Sequence, residues 1–231
     1  MPPPRSQVRF IARMLPGATT APYPGFVAPM LATPRKTVPR GVKWLHEIAF
    51  DGTRVQAHLV AGRATLYTPR GEDCTQRFPS IGHAVKALPA NHAIIDGVIV
   101  AAQEDARSDT MICYAFDLLF LDGFDIRAAP LAGRKRVLQG FITEAKQQQV
   151  ARMSAAKSGI SLAPSHRMSL RSCGLQSLAE ASEPRLAYSE HLADGAAMLR
   201  HAGKIGARGI VSKAKDAPYR SGRTADWLWI T

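Results

Sequence analysis

Basic side chains are the residues whose number and spacing in this sequence most directly predict chemistry. The 231 residues include 30 Lys and Arg against 18 Asp and Glu, a formal net charge of +12. The excess is concentrated in residues 1–23, 134–172 and 201–231. Because several cations acting together gain affinity for phosphates by releasing counterions, this pattern predicts a polyanionic partner. A solvated basic surface without a target is the alternative.

The cysteines and histidines predict neither a disulfide framework nor a metal site. The three cysteines, Cys74, Cys113 and Cys173, lie far apart, and the seven histidines show no ligand spacing. No run approaches the roughly 18 apolar residues of a membrane helix, and the first residues lack the pattern of a secretory signal. We therefore expect a protein of a reducing cytoplasm with no membrane partner.

Apolar runs and turn residues predict the elements that must position these charges. Residues 1–23, rich in Pro and Arg, are predicted to be a flexible arm, and residues 146–183 a mobile insertion in a domain that covers 24–231. A short helix capped by Ser80 and helices over 131–145 and 195–202 are expected. Strands are predicted over 43–49, 53–60, 64–68, 92–102, 110–121, 186–190, 209–214 and 226–230. Strands without regular βαβ alternation predict an α+β fold with a largely antiparallel sheet.

Five segments occur in an order that points to one family. They are HEIAFDGTR (His46–Arg54), AIIDGVIV (Ala93–Val100), YAFDLLFLDG (Tyr114–Gly123), RGIVSK (Arg208–Lys213) and PYRSGRTADWLWI (Pro218–Ile230). Together they resemble the adenylation (nucleotidyltransferase) domain of bacterial ATP-dependent DNA ligases of the end-joining repair type. The resemblance implies antiparallel sheets flanked by helices, ATP-grasp-like, around a nucleotide cleft. An OB-fold domain follows the last segment in that family, and none is expected within these 231 residues.

The resemblance also implies a chemistry for these segments. In the family, a lysine attacks the α-phosphate of ATP to form lysyl-AMP, the AMP passes to a DNA 5′-phosphate, and the nick is sealed. Carboxylates hold Mg²⁺, and further lysines offset charge on the phosphate. Glu47 would contact the adenine amino group and Phe116 would stack on the base. The residues expected to bind the nucleotide are Glu47, Asp51, Gly52, Arg54, Phe116 and Lys213, and those expected to bind DNA or phosphate are Arg70, Arg220 and Arg223.

Several positions depart from the family pattern. Ala49 stands where the nucleophilic lysine belongs, and a methyl group cannot form a phosphoramidate. No catalytic residue is therefore expected. Val98 stands where the family has a ribose-binding carboxylate and Arg208 where it has a metal-binding glutamate, so no metal site is expected either. Pro69 stands where the family has an arginine, and Trp229 and Thr231 stand where it has two lysines.

The sequence therefore predicts a DNA ligase-family protein of DNA repair or recombination that does not adenylate itself. One alternative is a non-catalytic module that binds DNA ends or a repair complex, and another is an enzyme that seals only pre-adenylated nicks. A decayed product under little constraint is a further alternative. The resemblance implies ATP and Mg²⁺ as cofactors, DNA and end-joining repair proteins as partners, and a nucleoid-associated location in the bacterial cytoplasm.

Overall fold

Two β-sheets form the body of the chain in a computed structural model that describes residues 7–101, 111–158 and 185–231. One sheet has seven strands in the order β1-β8-β7-β6-β4-β5, with β9 beside β7, and the other has five in the order β10-β3-β11-β12-β2. The elements in chain order are α1 (Gln7–Arg13), β1 (Thr19–Thr20), β2 (Met30–Arg35), β3 (Trp44–Ile48), β4 (Thr53–Val60), β5 (Arg63–Tyr67), α2 (Pro79–Lys86), β6 (His92–Ala101), β7 (Met111–Leu121), β8 (Phe124–Asp125), α3 (Leu131–Ser158), β9 (Leu186–Tyr188), β10 (His191–Leu192), α4 (Gly195–Lys204), β11 (Ile210–Ala214) and β12 (Gly222–Ile230).

Most strand pairs are antiparallel, as predicted for an α+β fold. Among the described strands, only β7–β9 and β12–β2 pair in parallel. None of the helices in the described ranges is long and apolar enough to cross a membrane.

The long strands β6 and β7 are apolar on both faces because both faces are covered. Ile95 and Leu118 belong to a core formed with α1, α2 and α3, whereas Ile94 and Leu119 pack with Trp227 of the smaller sheet. The outer face of the smaller sheet is covered by α4. The two sheets are thus layered, and the unfilled part of the space between them becomes the site described below.

A buried ion pair attaches the start of α3 to this layered body. Arg134 donates from Nε and Nη2 to the two carboxylate oxygens of Asp117 on β7, at 2.8 and 2.9 Å, and both side chains are fully buried. Its Nη1 donates to the carbonyl of Ala217 at 3.1 Å, in the segment that leads to β12. One guanidinium therefore connects helix α3, the larger sheet and a loop of the smaller sheet.

The first residues differ from the predicted flexible arm. Residues 7–13 form helix α1, and Val8, Ala12 and Leu15 are buried in the larger core, where α1 packs on α3. These three positions have helical spacing, but the prolines on either side obscured the signal. The prediction of an arm over 1–23 is therefore wrong from residue 7 onward, and residues 1–6 lie outside the described part.

The predicted bounds of two helices also change. Helix α3 continues to Ser158, because residues 146–158 are mostly good helix formers and contain neither Gly nor Pro. The predicted mobile insertion is thus helical at its start, and residues 159–184 lie outside the described residues. Helix α2 begins at Pro79 with Phe78 in the N-cap position, so Ser80 is not the cap; proline is well suited to the first helical position.

Removal of the buried guanidinium should destabilise the fold strongly. We expect Arg134→Met to lower the free energy of unfolding by about 3–5 kcal/mol, because Asp117 would keep an uncompensated buried charge. Arg220→Met breaks the exposed pair between Arg220 and Asp226 and should change stability little. Urea unfolding of both variants measures the difference, and equal losses would contradict this role of Arg134.

Candidate functional site

The two sheets enclose a cleft of about 400 Å³. Glu47 on β3 lies opposite Val211 on β11, which lies opposite Trp229 on β12, so these three residues share one face of the smaller sheet. Residues of β4, β6 and β7 line the other side. The cleft brings together most of the residues singled out in the sequence, namely Glu47, Ala49, Gly52, Arg54, Val98, Phe116, Arg208, Lys213, Arg223 and Trp229.

The turn between β3 and β4 explains the glycine in the first segment. A Cβ atom on Gly52 would lie 2.2 Å from the carbonyl oxygen of Ile99 on β6. Only glycine allows the turn to approach the larger sheet this closely. The close approach holds Ala49 and Phe50 at the wall of the cleft.

A buried charge cluster forms the floor of the cleft. Glu47 accepts from Lys213 through Oε2 at 3.0 Å and is ion-paired with Lys135 of α3 through Oε1 at 2.9 Å. Ser189 donates its hydroxyl to Oε2 at 3.1 Å, and Lys135 donates to the Ser189 carbonyl at 3.0 Å. The Glu47 carboxylate, which the resemblance assigns to adenine recognition, is therefore already occupied by protein groups.

Burial and mutual attraction oppose each other in this cluster. Burial raises the pKa of Glu47, but the ammonium groups of Lys135 and Lys213 outweigh it and bring the pKa below its ordinary value. Burial lowers the pKa of Lys213, and Glu47 offsets only part of this effect. The cluster thus depends on Glu47 being ionised.

The Lys213 ammonium also lies over two aromatic rings. Its Nζ is 4.1 Å from the ring centre of Phe116 and 4.2 Å from that of Trp227, both within the range of cation–π attraction. The two rings meet edge to face, with centres 5.9 Å apart. The predicted stacking of adenine on Phe116 would have to use the ring surface that Lys213 leaves free.

Arg54 joins the two sheets at one side of the cleft. It donates from Nε and Nη2 to both carboxylate oxygens of Asp96, at 3.0 and 2.7 Å, and from Nη1 to the Met30 carbonyl at 2.8 Å. Tyr219 donates its hydroxyl to Asp96 at 2.7 Å and accepts from the Met30 amide at 3.0 Å. Burial lowers the pKa of Arg54, but Asp96 raises it by more, so the guanidinium stays charged. Arg54 therefore has a structural role at the cleft wall.

The groups at the predicted nucleophile and metal positions do not fit Mg²⁺. Ala49 donates its amide to the Gly209 carbonyl at 2.9 Å, so it lies beside Arg208, whose guanidinium pairs with Asp51 at 3.2 Å. Val98 contributes only an apolar side chain. No group of three or more potential metal ligands occurs in the described ranges. Magnesium prefers carboxylate oxygens, and Glu47 and Asp51 are each engaged by cations.

The three arginines predicted to bind phosphate occupy different places. Arg223 lines the cleft and donates to the Ala32 carbonyl at 2.7 Å. Arg220 is exposed beside a neighbouring hollow and pairs with Asp226 at 3.3 Å. Arg70 is exposed in the turn after β5, away from the cleft lining.

Sequence reasoning missed Lys135 and assigned its region to a basic surface. In fact Arg134 and Lys135 are buried, while Arg136 is exposed. A signal was present, because Leu131, Lys135 and Leu138 recur with the spacing of one helix face. The charge excess of residues 134–172 is therefore not wholly available to a polyanion.

Comparisons with known proteins show which family and which fold this chain resembles. Residues 29–110 match the family described as "ATP dependent DNA ligase domain". The solved structure of a "mycobacterial DNA ligase D complexed with ATP and MES" shares the fold with a TM-score of 0.60 and 24% identity, over 88% of this chain and 60% of that chain. The fold is thus that of a ligase-type nucleotidyltransferase domain, and the resemblance to ATP-dependent DNA ligases is confirmed.

Two curated relatives are similar to this chain over most of its length. The chain is 27% identical over 221 residues to the "Multifunctional non-homologous end joining protein LigD" of Pseudomonas aeruginosa. The aligned region covers 90% of this chain and 22% of that protein. A "Probable DNA ligase" of Mycolicibacterium paratuberculosis is 26% identical over 232 residues, which are 88% of this chain and 38% of that protein. The chain therefore spans only about a fifth to two fifths of the length of these relatives.

The charge cluster predicts a pH-dependent effect of Glu47→Gln. At neutral pH we expect a loss of about 3–5 kcal/mol in unfolding free energy, because two lysines remain buried without their carboxylate. The pKa of Glu47 is depressed in the folded state, so its stabilisation is full above the unfolded pKa of about 4.3 and declines as the pH falls through the folded value.

Urea unfolding from neutral pH down to acid conditions measures this effect. The difference between wild type and Glu47→Gln should narrow below about pH 4.3. Asp51→Asn, at an exposed ion pair, is the matched control and should show little difference at any pH. A constant gap between Glu47→Gln and wild type would contradict the prediction.

Proposed function

We propose that this chain is a DNA-binding protein of the ATP-dependent ligase type that does not form lysyl-AMP. The observation that carries the proposal is the state of the amines at the cleft. Ala49 occupies the position of the nucleophile, and Lys213 is the single lysine among the described residues that line the cleft. Its Nζ is held by Glu47 and by two aromatic rings.

Lys213 is a poor replacement for the missing nucleophile. A lysine attacks phosphorus only after it has lost its proton. The carboxylate of Glu47 and the faces of Phe116 and Trp227 all stabilise the ammonium form. Burial lowers the pKa of Lys213 and Glu47 offsets only part of that effect, but deprotonation would forfeit all three contacts and leave Glu47 with one ammonium partner. Lys213 therefore serves as a fixed positive charge.

The cations at the mouth of the cleft support DNA as the partner. Arg208 and Arg223 are exposed at the cleft, and Arg220 is exposed nearby. Such groups bind phosphates by releasing counterions from the polyanion. The LigD relative is named for non-homologous end joining, and this favours broken DNA ends and end-joining proteins as partners in the bacterial cytoplasm.

Self-adenylation tests the proposal directly. After incubation with ATP labelled at the α-phosphate and Mg²⁺ or Mn²⁺, we expect no label to survive denaturation of the protein. Ala49→Lys should also stay unlabelled, because Arg208 stands where the resemblance places a metal-binding carboxylate and Val98 where it places a ribose-binding one. An active ligase domain serves as the positive control. Label in the wild type that disappears in Lys213→Met would identify Lys213 as the nucleophile and overturn the proposal.

DNA affinity provides an independent test of the binding function. We expect the logarithm of the association constant for duplex DNA with a free end to fall linearly with the logarithm of salt concentration, by about 0.9 per phosphate neutralised. Fluorescence anisotropy over a salt series measures the slope. Arg223→Glu should weaken binding more than Lys86→Glu, an equal charge change at the exposed end of α2. A flat salt response would contradict DNA binding.

A further inference from the structure

The smaller sheet has a second, basic side that faces away from the cleft. Leu228 of β12 packs under α4, whereas its neighbours Trp227 and Trp229 line the cleft. Because successive side chains of a strand point to opposite faces, the layer that covers Leu228 lies on the far side of the sheet. We propose that this layer binds the backbone of a second DNA duplex, separate from a duplex at the cleft. The inference goes beyond the proposed function, which concerns the cleft side alone.

Two segments build this layer. Strand β2 lies at one edge of the smaller sheet and β3 lies near the other edge, so residues 36–43 between them cross the sheet. Val38 of this crossing segment packs in the same apolar cluster as Met198 of α4. The two segments approach closely, because a Cβ atom on Gly195 would lie 2.4 Å from Cγ1 of Val38. Residues 36–43 and α4 therefore form one continuous covering, which we call the outer surface.

Exposed cations are concentrated on the outer surface. Neither residues 36–43 nor α4 contains an acidic side chain. The carboxylate of Asp194, just ahead of α4, accepts from the amides of Ala196 and Ala197 at 2.9 and 3.0 Å and is thus engaged as the helix cap. The cations of the outer surface are all exposed, and none forms an ion pair with another described residue. They are Lys36, Arg40, Lys43, Arg200 and Lys204.

The crossing segment presents its cations from an anchored backbone. Pro39 is buried, and the Lys43 carbonyl accepts from the Lys215 amide at 2.8 Å. Gly41 has a φ of 104°, a conformation that favours glycine, and the turn leaves Val42 89% exposed at its tip. Side chains on such a backbone lose less conformational entropy on binding than side chains on a flexible tail. The segment is therefore well placed to hold cations against a partner.

The chemistry of the outer surface fits a duplex better than a membrane or a protein. Helix α4 turns Met198 and Ala202 towards the sheet, so its apolar face is not offered to a bilayer. Protein interfaces concentrate aromatic residues at their core, and neither residues 36–43 nor α4 contains Phe, Trp or Tyr. The backbone of duplex DNA needs only clustered cations, which gain affinity by releasing counterions from its phosphates.

Retention of one duplex by another tests the inference. One duplex is attached to beads, a second carries a fluorophore, and the protein is added at low salt. We expect the wild type to retain the fluorescent duplex on the beads, because each side of the smaller sheet binds one duplex. The triple variant Lys36→Glu/Arg40→Glu/Lys43→Glu should lower this retention by about tenfold or more, since three phosphate contacts are lost.

A second triple variant is the matched control. Arg63→Glu/Arg77→Glu/Lys86→Glu makes the same change of charge at exposed residues of β5, of the segment before α2 and of α2, which belong to the larger sheet's side. We expect it to retain the fluorescent duplex like the wild type. Urea unfolding of both triple variants checks that these exposed substitutions leave the fold intact.

Equal retention by the two triple variants would overturn the inference, whether both retain the duplex or neither does. Binding of phosphatidylserine vesicles that is lost in the Lys36→Glu/Arg40→Glu/Lys43→Glu variant, without retention of a second duplex by the wild type, would overturn it as well. In either case, salt-dependent binding of a single duplex would leave the proposed function intact. Labelling of the protein by ATP concerns the proposed function alone, so the two proposals fail separately.

Discussion

The contact between one carboxylate and two lysines determines how the cleft is built. Glu47 belongs to β3, Lys213 to β11 and Lys135 to α3, so the cluster joins the smaller sheet to a helix that packs on the larger one. Buried charges are tolerated only when they are paired and hydrogen-bonded. Lys135 meets this requirement through Glu47 and the Ser189 carbonyl, and Lys213 through Glu47 and two aromatic faces. The charges at the floor of the cleft are therefore paired by protein groups, while the buried Nε1 of Trp227 beside them has no hydrogen-bond partner in the described part of the chain.

The framework of this ligase-type fold is likewise held by bonds that do not involve the positions at which the sequence departs from the family pattern. The bonds of Arg54 to Asp96 and Met30, and of Arg134 to Asp117, hold the two sheets and α3 together. None of these bonds involves Ala49, Val98 or Arg208, so replacement at those three positions does not disturb the framework. The proposed lack of a nucleophile and of metal-binding carboxylates therefore concerns what the cleft can do and leaves its walls in place.

Much of this arrangement was predictable from the sequence, because local patterns carry it. The apolar runs located β6 and β7, and the order of the five segments brought Glu47, Ala49 and Lys213 to one cleft. The Asp-Gly pair marked the turn before β4, although only the structure shows that Gly52 is needed for the close approach to Ile99.

The remaining features depend on contacts between distant segments. Lys135 looked like surface charge until α3 was placed against β9, where Lys135 meets Glu47 of β3. The bonding of Arg54 with Asp96 requires the register of β4 with β6. Helix α1 was concealed by flanking prolines, and its burial depends on α3, which follows it by more than a hundred residues. Helical spacing signals which face of α1 or α3 is buried, but the distant partner of each face leaves no short-range signal in one sequence.

The charge on Lys213 separates an anchored cation from a replacement nucleophile. Nitrogen-15 NMR of the lysine side chains, with Lys213→Met used for assignment, reports the protonation state of each Nζ. The account predicts that the Lys213 resonance has the shift of a protonated ammonium at neutral pH. A neutral amine at this position at neutral pH would contradict the account.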